Sequence, residues 1–361
     1  YDDRWFQEQI KGYGIERQGK YTPFPPVTAV LMIPVALLPP EVALRVWTVC
    51  NIAMCVATVV LLCKLSGKNW QWSSLLILGS GAALINDVRF GQWYLALVLL
   101  MLAGYHLLER KWPIAAGALF GFGAAFKYFP MILLPVLLLR KQWRAAASLI
   151  VTTALICCIG VMLLGTQVSS EFFSSVIKDH VAGSIQDPFS ATFQSWNSLL
   201  RRLFVYDPVL NPSPALDSAV LFHLFRYGVL ASVVAISIWV MTLSNRINEH
   251  ERLGIQMAFV TIAGMLLLPA SATYHFLILI LPLALLLRGE HAWNIWQRIL
   301  VACYLMIGFT PYRFFREYDG MQWLTLAAYP RLWLMTIMFI IVCIVVVKIS
   351  ENKLSYRLSR V

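Results

Sequence analysis

Lys20–Ala43 reads KYTPFPPVTAVLMIPVALLPPEVA and holds six of the chain's 17 prolines: Pro23, Pro25, Pro26, Pro34, Pro39 and Pro40. The apolar run between them has the composition of a membrane segment. Proline, however, removes a helical hydrogen bond, clashes with the preceding turn and pushes the residue before it out of the helical region. Backbone left unpaired at membrane depth is tolerated only where it is buried in protein or lines a cavity. The stretch at 24–40 is therefore read as a re-entrant or interfacial hinge that pins the preceding loop over a site.

What surrounds this hinge is a polytopic membrane protein. Of 361 residues 59% are hydrophobic and only 13% charged, whereas a soluble domain is nearer half apolar and about a quarter charged. Apolar runs at 42–64, 72–86, 91–108, 112–127, 128–140, 144–165, 218–243, 253–271, 275–288, 293–311 and 330–349 predict about eleven transmembrane helices. The runs at 128–140 and 275–288 are short, which implies bilayer thinning or a partly buried position. The chain opens on Tyr1 in a charged, amphipathic stretch, and one further helix is expected upstream. No repeat or linker divides residues 1–361, which are expected to form one membrane-embedded domain.

Charge orients the bundle. The loops CKLSGKNW, LERKW, RKQWR, SNRINEHER and RGEHAWNIWQR, with the tail KISENKLSYRLSR, hold 15 Lys or Arg against five Asp or Glu and are expected to be cytoplasmic. The other loops, including 1–23 and 167–217, hold 12 basic and 12 acidic residues and are expected on the opposite face. Aromatic and apolar spacing in 167–217 predicts short interfacial helices. The positive balance is thus a matter of topology, and no nucleic-acid partner is expected. All seven cysteines lie in apolar runs without metal-ligand or disulfide spacing.

Ionisable residues at membrane depth are costly, which makes them functional candidates. NDVRFGQWY places Asn86, Asp87, Arg89 and Gln92 in a short turn, read either as a polar hairpin with an internal Asp87–Arg89 pair or as a cavity wall. In AAFKYFPMILLP, Lys127 either snorkels to the headgroups or faces an anionic ligand. In ASATYHFLILILP, His275 beside Tyr274 is either structural or a hydrogen-bonding partner of a sugar hydroxyl or phosphate. Asp2 and Asp3 are surface charge unless their segment folds back over the basic turns, where a carboxylate can accept a proton. The set describes a one-sided site for phosphate under aromatic loops. No GxGxxG, P-loop or DxD is present, so a donor is expected from the lipid side. No cofactor is implied, and a divalent metal is allowed by the aspartate pair but not demanded.

These landmarks resemble the polyprenol-phosphate-mannose-dependent alpha-mannosyltransferases of the GT-C superfamily. The resemblance rests on YTPFPPVTAVLMIPVALL, GQWYLALVLLML and GFGAAFKYFPMILLPVLLLRKQWRA over residues 1–165, and more loosely on QSWNSLLRR and YHFLILILP. It implies an inverting transfer of a hexose, mannose in the best-known members, from a polyprenyl-phosphate donor to a glycolipid or glycan acceptor on the non-cytoplasmic face of a bacterial inner membrane. It also implies a general base at Asp2 or the adjacent Asp3, and donor-site residues at Gln92, Lys127 and His275. Gln194 and Arg201 survive from a motif in which Phe193 stands where the family shows asparagine. Arg89 has no counterpart, and its phosphate role rests on position and charge. The competing readings are a transporter or flippase of a lipid-linked or anionic substrate, which would bring inverted repeats that the two halves lack, and a non-catalytic scaffold, which leaves the one-sided charges unexplained.

Overall fold

The computed structural model describes residues 2–12, 23–184, 187–288 and 294–358. Tyr21, which opens the aromatic-proline landmark, lies outside them. The regular elements among the described residues are all helical, without a strand. In chain order the first elements are α1 (Asp3–Lys11), α2 (Pro26–Ala36), α3 (Pro40–Ser66), α4 (Trp70–Leu78), α5 (Ala82–Arg89), α6 (Tyr94–Glu109), α7 (Pro113–Phe126), α8 (Leu134–Leu139) and α9 (Trp143–Leu164). There follow α10 (Thr166–Glu171), α11 (Ile177–Ala182), α12 (Trp196–Phe204), α13 (Ala219–Leu243), α14 (Glu249–Leu267), α15 (Ile280–Leu286), α16 (Ile295–Phe309) and α17 (Pro330–Leu358). A 3-10 turn over Phe129–Leu133 leads into α8, and another over Thr273–Leu279 leads into α15.

Among the described residues four helices are long and apolar enough to cross a membrane, and five if α5 and α6, bent by 113°, count as one span. The chain is therefore an integral membrane protein. The expected count of about eleven is not reached by length and composition, because α7, α16 and the helices at Phe129–Leu139 and Thr273–Leu286 are each of 10–17 residues, too short to cross a hydrocarbon core of about 30 Å alone. The helix at Thr273–Leu286 is short because it is buried: every residue from Phe276 to Leu285 is shielded by protein. In the most apolar windows of α3, α9 and α13 only 17%, 11% and 11% of residues are buried, against 44% in α17, so the first three carry the lipid-facing surface.

Two sequence expectations change in the region 72–92. The run at 72–86 is broken at Gly79–Gly81, where Gly81 takes φ +52. Gly308 of α16 lies against this break, and a Cβ on Gly308 would meet the Gly79 carbonyl oxygen at 2.3 Å. The break is thus a place where two backbones touch, which only glycine permits. The expected polar turn at 86–92 is helical as far as Arg89, and the chain turns only between Phe90 and Trp93.

The proline hinge forms α2, 11 residues and about 16 Å long. Pro25 and Pro39 precede the helices that Pro26 and Pro40 open, each at a first position where the missing N–H costs nothing. Val27 seats α2 on Gly160 of α9. The loop 167–217 does form short helices, and the partly buried Arg202–Asp319 ion pair at 2.7 Å ties it to the segment before α17.

Tight packing of α7 on α9 completes the frame. Gly117 and Gly121 are four apart and face α9, where a Cβ would lie 2.2 Å from the Ala145 carbonyl and 2.5 Å from that of Leu149. Small residues at this spacing let membrane helices approach closely, and Thr153 Oγ1 donates across the seam to the Gly121 carbonyl at 3.1 Å. Replacing Gly121 with leucine forces the two helices apart. Overpacking of this kind costs roughly 1–3 kcal/mol or more, and thermal unfolding in detergent is expected to show a lower midpoint than for the wild type.

Candidate functional site

Pro130 sets the position of Lys127. It has no N–H to offer the Phe126 carbonyl, so α7 ends at Phe126 and Lys127 leaves the helix in an extended conformation, φ −145 and ψ 96. The lysine side chain is 7% exposed, which decides against snorkelling. Its ammonium lies 3.8 Å from the Phe24 ring centre, 4.9 Å from that of Tyr94 and 3.4 Å from Gln92 Oε1. Among the described residues no carboxylate is within ion-pair distance of it. A buried ammonium held by two ring faces and one amide oxygen retains attraction for an anion.

Asp87 lies close enough to sense the Lys127 charge but serves the backbone. It is fully buried, and its Oδ1 and Oδ2 accept from the N–H groups of Tyr94 and Leu95 at 3.0 and 3.3 Å. Those are the first two N–H groups of α6, left without intrahelical partners. The expected Asp87–Arg89 pair does not form among the described residues: Arg89 is exposed and lies over the Phe90 ring. Asn86 is half-buried on α5. Gln92 is buried, and its own N–H returns to the Asp87 carbonyl at 2.8 Å.

His275 borders the same cavity as Lys127, with Tyr274 beside it. The imidazole Nδ1 accepts the Ala272 N–H at 2.8 Å, so the ring proton sits on Nε2, which is left as a donor. Tyr94 and Tyr274 fix the ring plane edge-on at 4.6 and 4.9 Å. Arg331 holds the start of this turn. Its buried guanidinium donates to Thr273 Oγ1 and to the carbonyls of Ile307 and Thr310.

The cavity's other wall comes from the loop 167–217, through residues other than the expected Gln194 and Arg201. His180 of α11 lines it and meets the Tyr128 hydroxyl through Nε2. Burial, with the nearby Lys127 charge, pushes the His180 imidazole down to about 4, so at neutral pH it is uncharged. Asn197 and Ser198, from the first turn of α12, line it as well. Asp187 is the one carboxylate among the described lining residues.

Several expected site residues lie elsewhere. Gln194 is buried, with its amide donating to the carbonyls of Ala191 and Ala328 and its oxygen accepting from the Arg331 N–H, so it docks the loop and does not line the cavity. Arg201 donates to the Ala182 carbonyl and covers the Phe222 ring. Asp2 caps α1 and is exposed, and neither it nor Asp3 lines the cavity. The N–H groups of Trp5 and Arg4 hold the Asp2 carboxylate below the usual aspartate range. No group of three His, Cys, Asp or Glu side chains among the described residues is placed to hold a metal ion.

The family model of Glycosyltransferase family 87 matches residues 21–269, more than half of the chain. The chain belongs to glycosyltransferase family 87. A polyprenol-phosphate-mannose-dependent alpha-(1-2)-phosphatidylinositol pentamannoside mannosyltransferase of Mycobacterium tuberculosis is 22% identical over 86% of this chain and 66% of its own length. The corresponding phosphatidylinositol mannoside mannosyltransferase of the same species is 25% identical, over 86% and 73%. A pentamannoside mannosyltransferase of Mycolicibacterium smegmatis is 26% identical, over 86% and 69%. The chain therefore spans about two thirds of the length of these relatives. No solved structure matches. The family match takes in Phe24, Gln92, Lys127, His180 and Asn197 but ends at Pro269, before Tyr274 and His275.

The Asp87 contacts predict a structural phenotype. Asp87→Ala leaves two N–H groups unpaired in a dry interior, at a cost of roughly 1–3 kcal/mol each. A lowered thermal midpoint in detergent is the expected result, whereas a ligand-contacting Asp87 would lose activity without losing stability.

Proposed function

We propose that this chain transfers a hexose, mannose as in its relatives' names, from a polyprenyl phosphate to a mannosylated phosphatidylinositol or similar glycan acceptor. The observation that carries the reading is the buried Lys127 ammonium, without an ion-pair partner among the described residues, in a family 87 cavity that also presents the His275 Nε2–H donor. Family membership favours transfer over the transporter reading. We place the cavity on the non-cytoplasmic face, because the basic loops lie at the other turns of the chain. The short helices then complete a GT-C-like bundle of about eleven crossings in the inner membrane.

In the proposed step the acceptor hydroxyl oxygen attacks the anomeric carbon from the side opposite the phosphate. The bond from that carbon to the phosphate oxygen breaks, and the phosphate departs with the electron pair. Lys127 meets the growing charge, and the His275 Nε2–H donates to a phosphate oxygen or a sugar hydroxyl. The acceptor proton passes to a carboxylate. Following the resemblance we assign that base to Asp2 or Asp3, whose helix joins the cavity wall at Pro23 through ten intervening residues, 13–22. A specific observation favours Asp187 as the alternative: it already lines the cavity.

Transfer from radiolabelled polyprenyl-phosphate mannose to a phosphatidylinositol mannoside, in proteoliposomes, tests the reading. Lys127→Met is expected to lower kcat about 100- to 1000-fold. Among Asp2→Asn, Asp3→Asn and Asp187→Asn, the base is the one whose loss lowers kcat roughly 100-fold or more. Lipid translocation without glycoside formation by the wild type would overturn the proposal.

A further inference from the structure

The least explained polar group of the cavity is the side chain of Asn197. It is 6% exposed, and both its Nδ2 and its Oδ1 are buried with no hydrogen-bond partner among the described residues. The neighbouring Ser198 shows what a settled polar group looks like in the same turn: its hydroxyl bonds the Ser190 carbonyl and the Tyr329 hydroxyl, both at 2.9 Å. An amide with its donors and its acceptor all unpaired inside a protein is costly to keep. The local backbone nevertheless makes room for it. Gly183, at φ +73, stands over the amide, and a Cβ there would lie 2.2 Å from Asn197 Nδ2. The Ser195 cap fixes the start of α12 and docks it on the Pro269 carbonyl, so the amide is presented to the cavity from a rigid turn that also carries Ser198.

An asparagine amide offers two donors on one atom and two acceptor sites on another. That pattern matches neighbouring hydroxyls of a pyranose ring, each of which can both donate and accept. A phosphate, which only accepts, would leave Oδ1 unpaired, and a prenyl chain would leave both ends so. We propose that Asn197 is the sugar-reading residue of this cavity, its amide bonding adjacent hydroxyls of a hexose ring. The inference rests on the glycosyltransferase reading and deepens it. It assigns the phosphate to the Lys127 side of the cavity and the ring to the α12 side. The ring belongs either to the donor or to the acceptor, and the kinetics separate the two.

The test uses the full chain in proteoliposomes, with polyprenyl-phosphate mannose as donor and a phosphatidylinositol mannoside as acceptor. Asn197→Asp keeps the shape and removes both donors, and Asn197→Ala removes the amide. Both are expected to lower kcat/KM roughly 10- to 100-fold for one substrate, while inhibition by sugar-free polyprenyl phosphate and the ligand-free thermal midpoint stay unchanged. A raised donor KM places the ring on the donor, and a raised acceptor KM places it on the acceptor. Unchanged kinetics in both variants overturn the inference. So does weakened polyprenyl-phosphate inhibition accompanied by a lower thermal midpoint in both variants, which would make Asn197 a residue of the fold. A wild type that forms no glycoside overturns the transfer reading itself, and wild-type turnover matched by both variants overturns the inference alone.

Discussion

The hydrogen bonds from Tyr94 and Leu95 to the buried Asp87 carboxylate are the contact on which the site depends. A helix that starts inside a membrane protein exposes N–H groups that lipid cannot satisfy. Asp87, reaching forward from α5, supplies both acceptors, and this is what allows the chain to bend by 113° and restart as α6. The bend delivers Tyr94 against Lys127 and His275. Its inner corner places Gln92 beside the lysine. A single carboxylate therefore fixes two of the groups that surround the cation, while its oxygens remain engaged with backbone.

That engagement explains the electrostatic character of the cavity. Burying an ammonium costs several kcal/mol unless an opposite charge or good donors and acceptors compensate. Asp87 is near enough for its charge to act on Lys127 but makes no ion pair with it, so the direct contacts come from Phe24, Tyr94 and Gln92. Cation–π contacts contribute about 2 kcal/mol at most sites of this kind, less than a charge-assisted hydrogen bond network would. The ammonium thus keeps N–H donor capacity that an anion can use. The neutral His180 and the Nε2–H tautomer of His275 do not add to that charge, and they can bind an anion or a hydroxyl without having to release a proton first.

Parts of this were legible in the sequence because membrane chemistry makes them rare. Lys127 stands out as a charge flanked by apolar residues, and Pro130 explains why it leaves its helix. His275 was visible for the same reason, although its tautomer depends on the Ala272 N–H and on folding. The run at 72–86 looked continuous because a backbone contact between Gly81 and Gly308 leaves no mark in local hydropathy. Asp87 is a candidate by its depth and Gln194 by its family motif, and sequence does not say whether such a group faces a cavity or the backbone. His180 and Asn197 sat unnoticed in a loop rich in polar residues, where one more histidine or asparagine carries no signal. For Asn197 the informative property is the lack of a partner, which exists only in three dimensions.

The proline hinge acquires a physical role from these contacts. Pro25 and Pro26 end the extended approach and start α2, which Val27 anchors on Gly160. The residue immediately before this anchor pair is Phe24, the ring lying on the Lys127 ammonium. An ammonium has three N–H donors. Gln92 takes one, and ring faces are weaker partners than a phosphate oxygen, so the Phe24 contact is the one an anion can share or replace. Because Pro25 fixes φ and restricts Phe24 in turn, the ring is held near the cation and cannot fold away freely. On the proposed reading, a donor phosphate bound by Lys127 settles beside this ring. The prolines on either side of Phe24 thus fix the one ring that lies nearest the Lys127 ammonium.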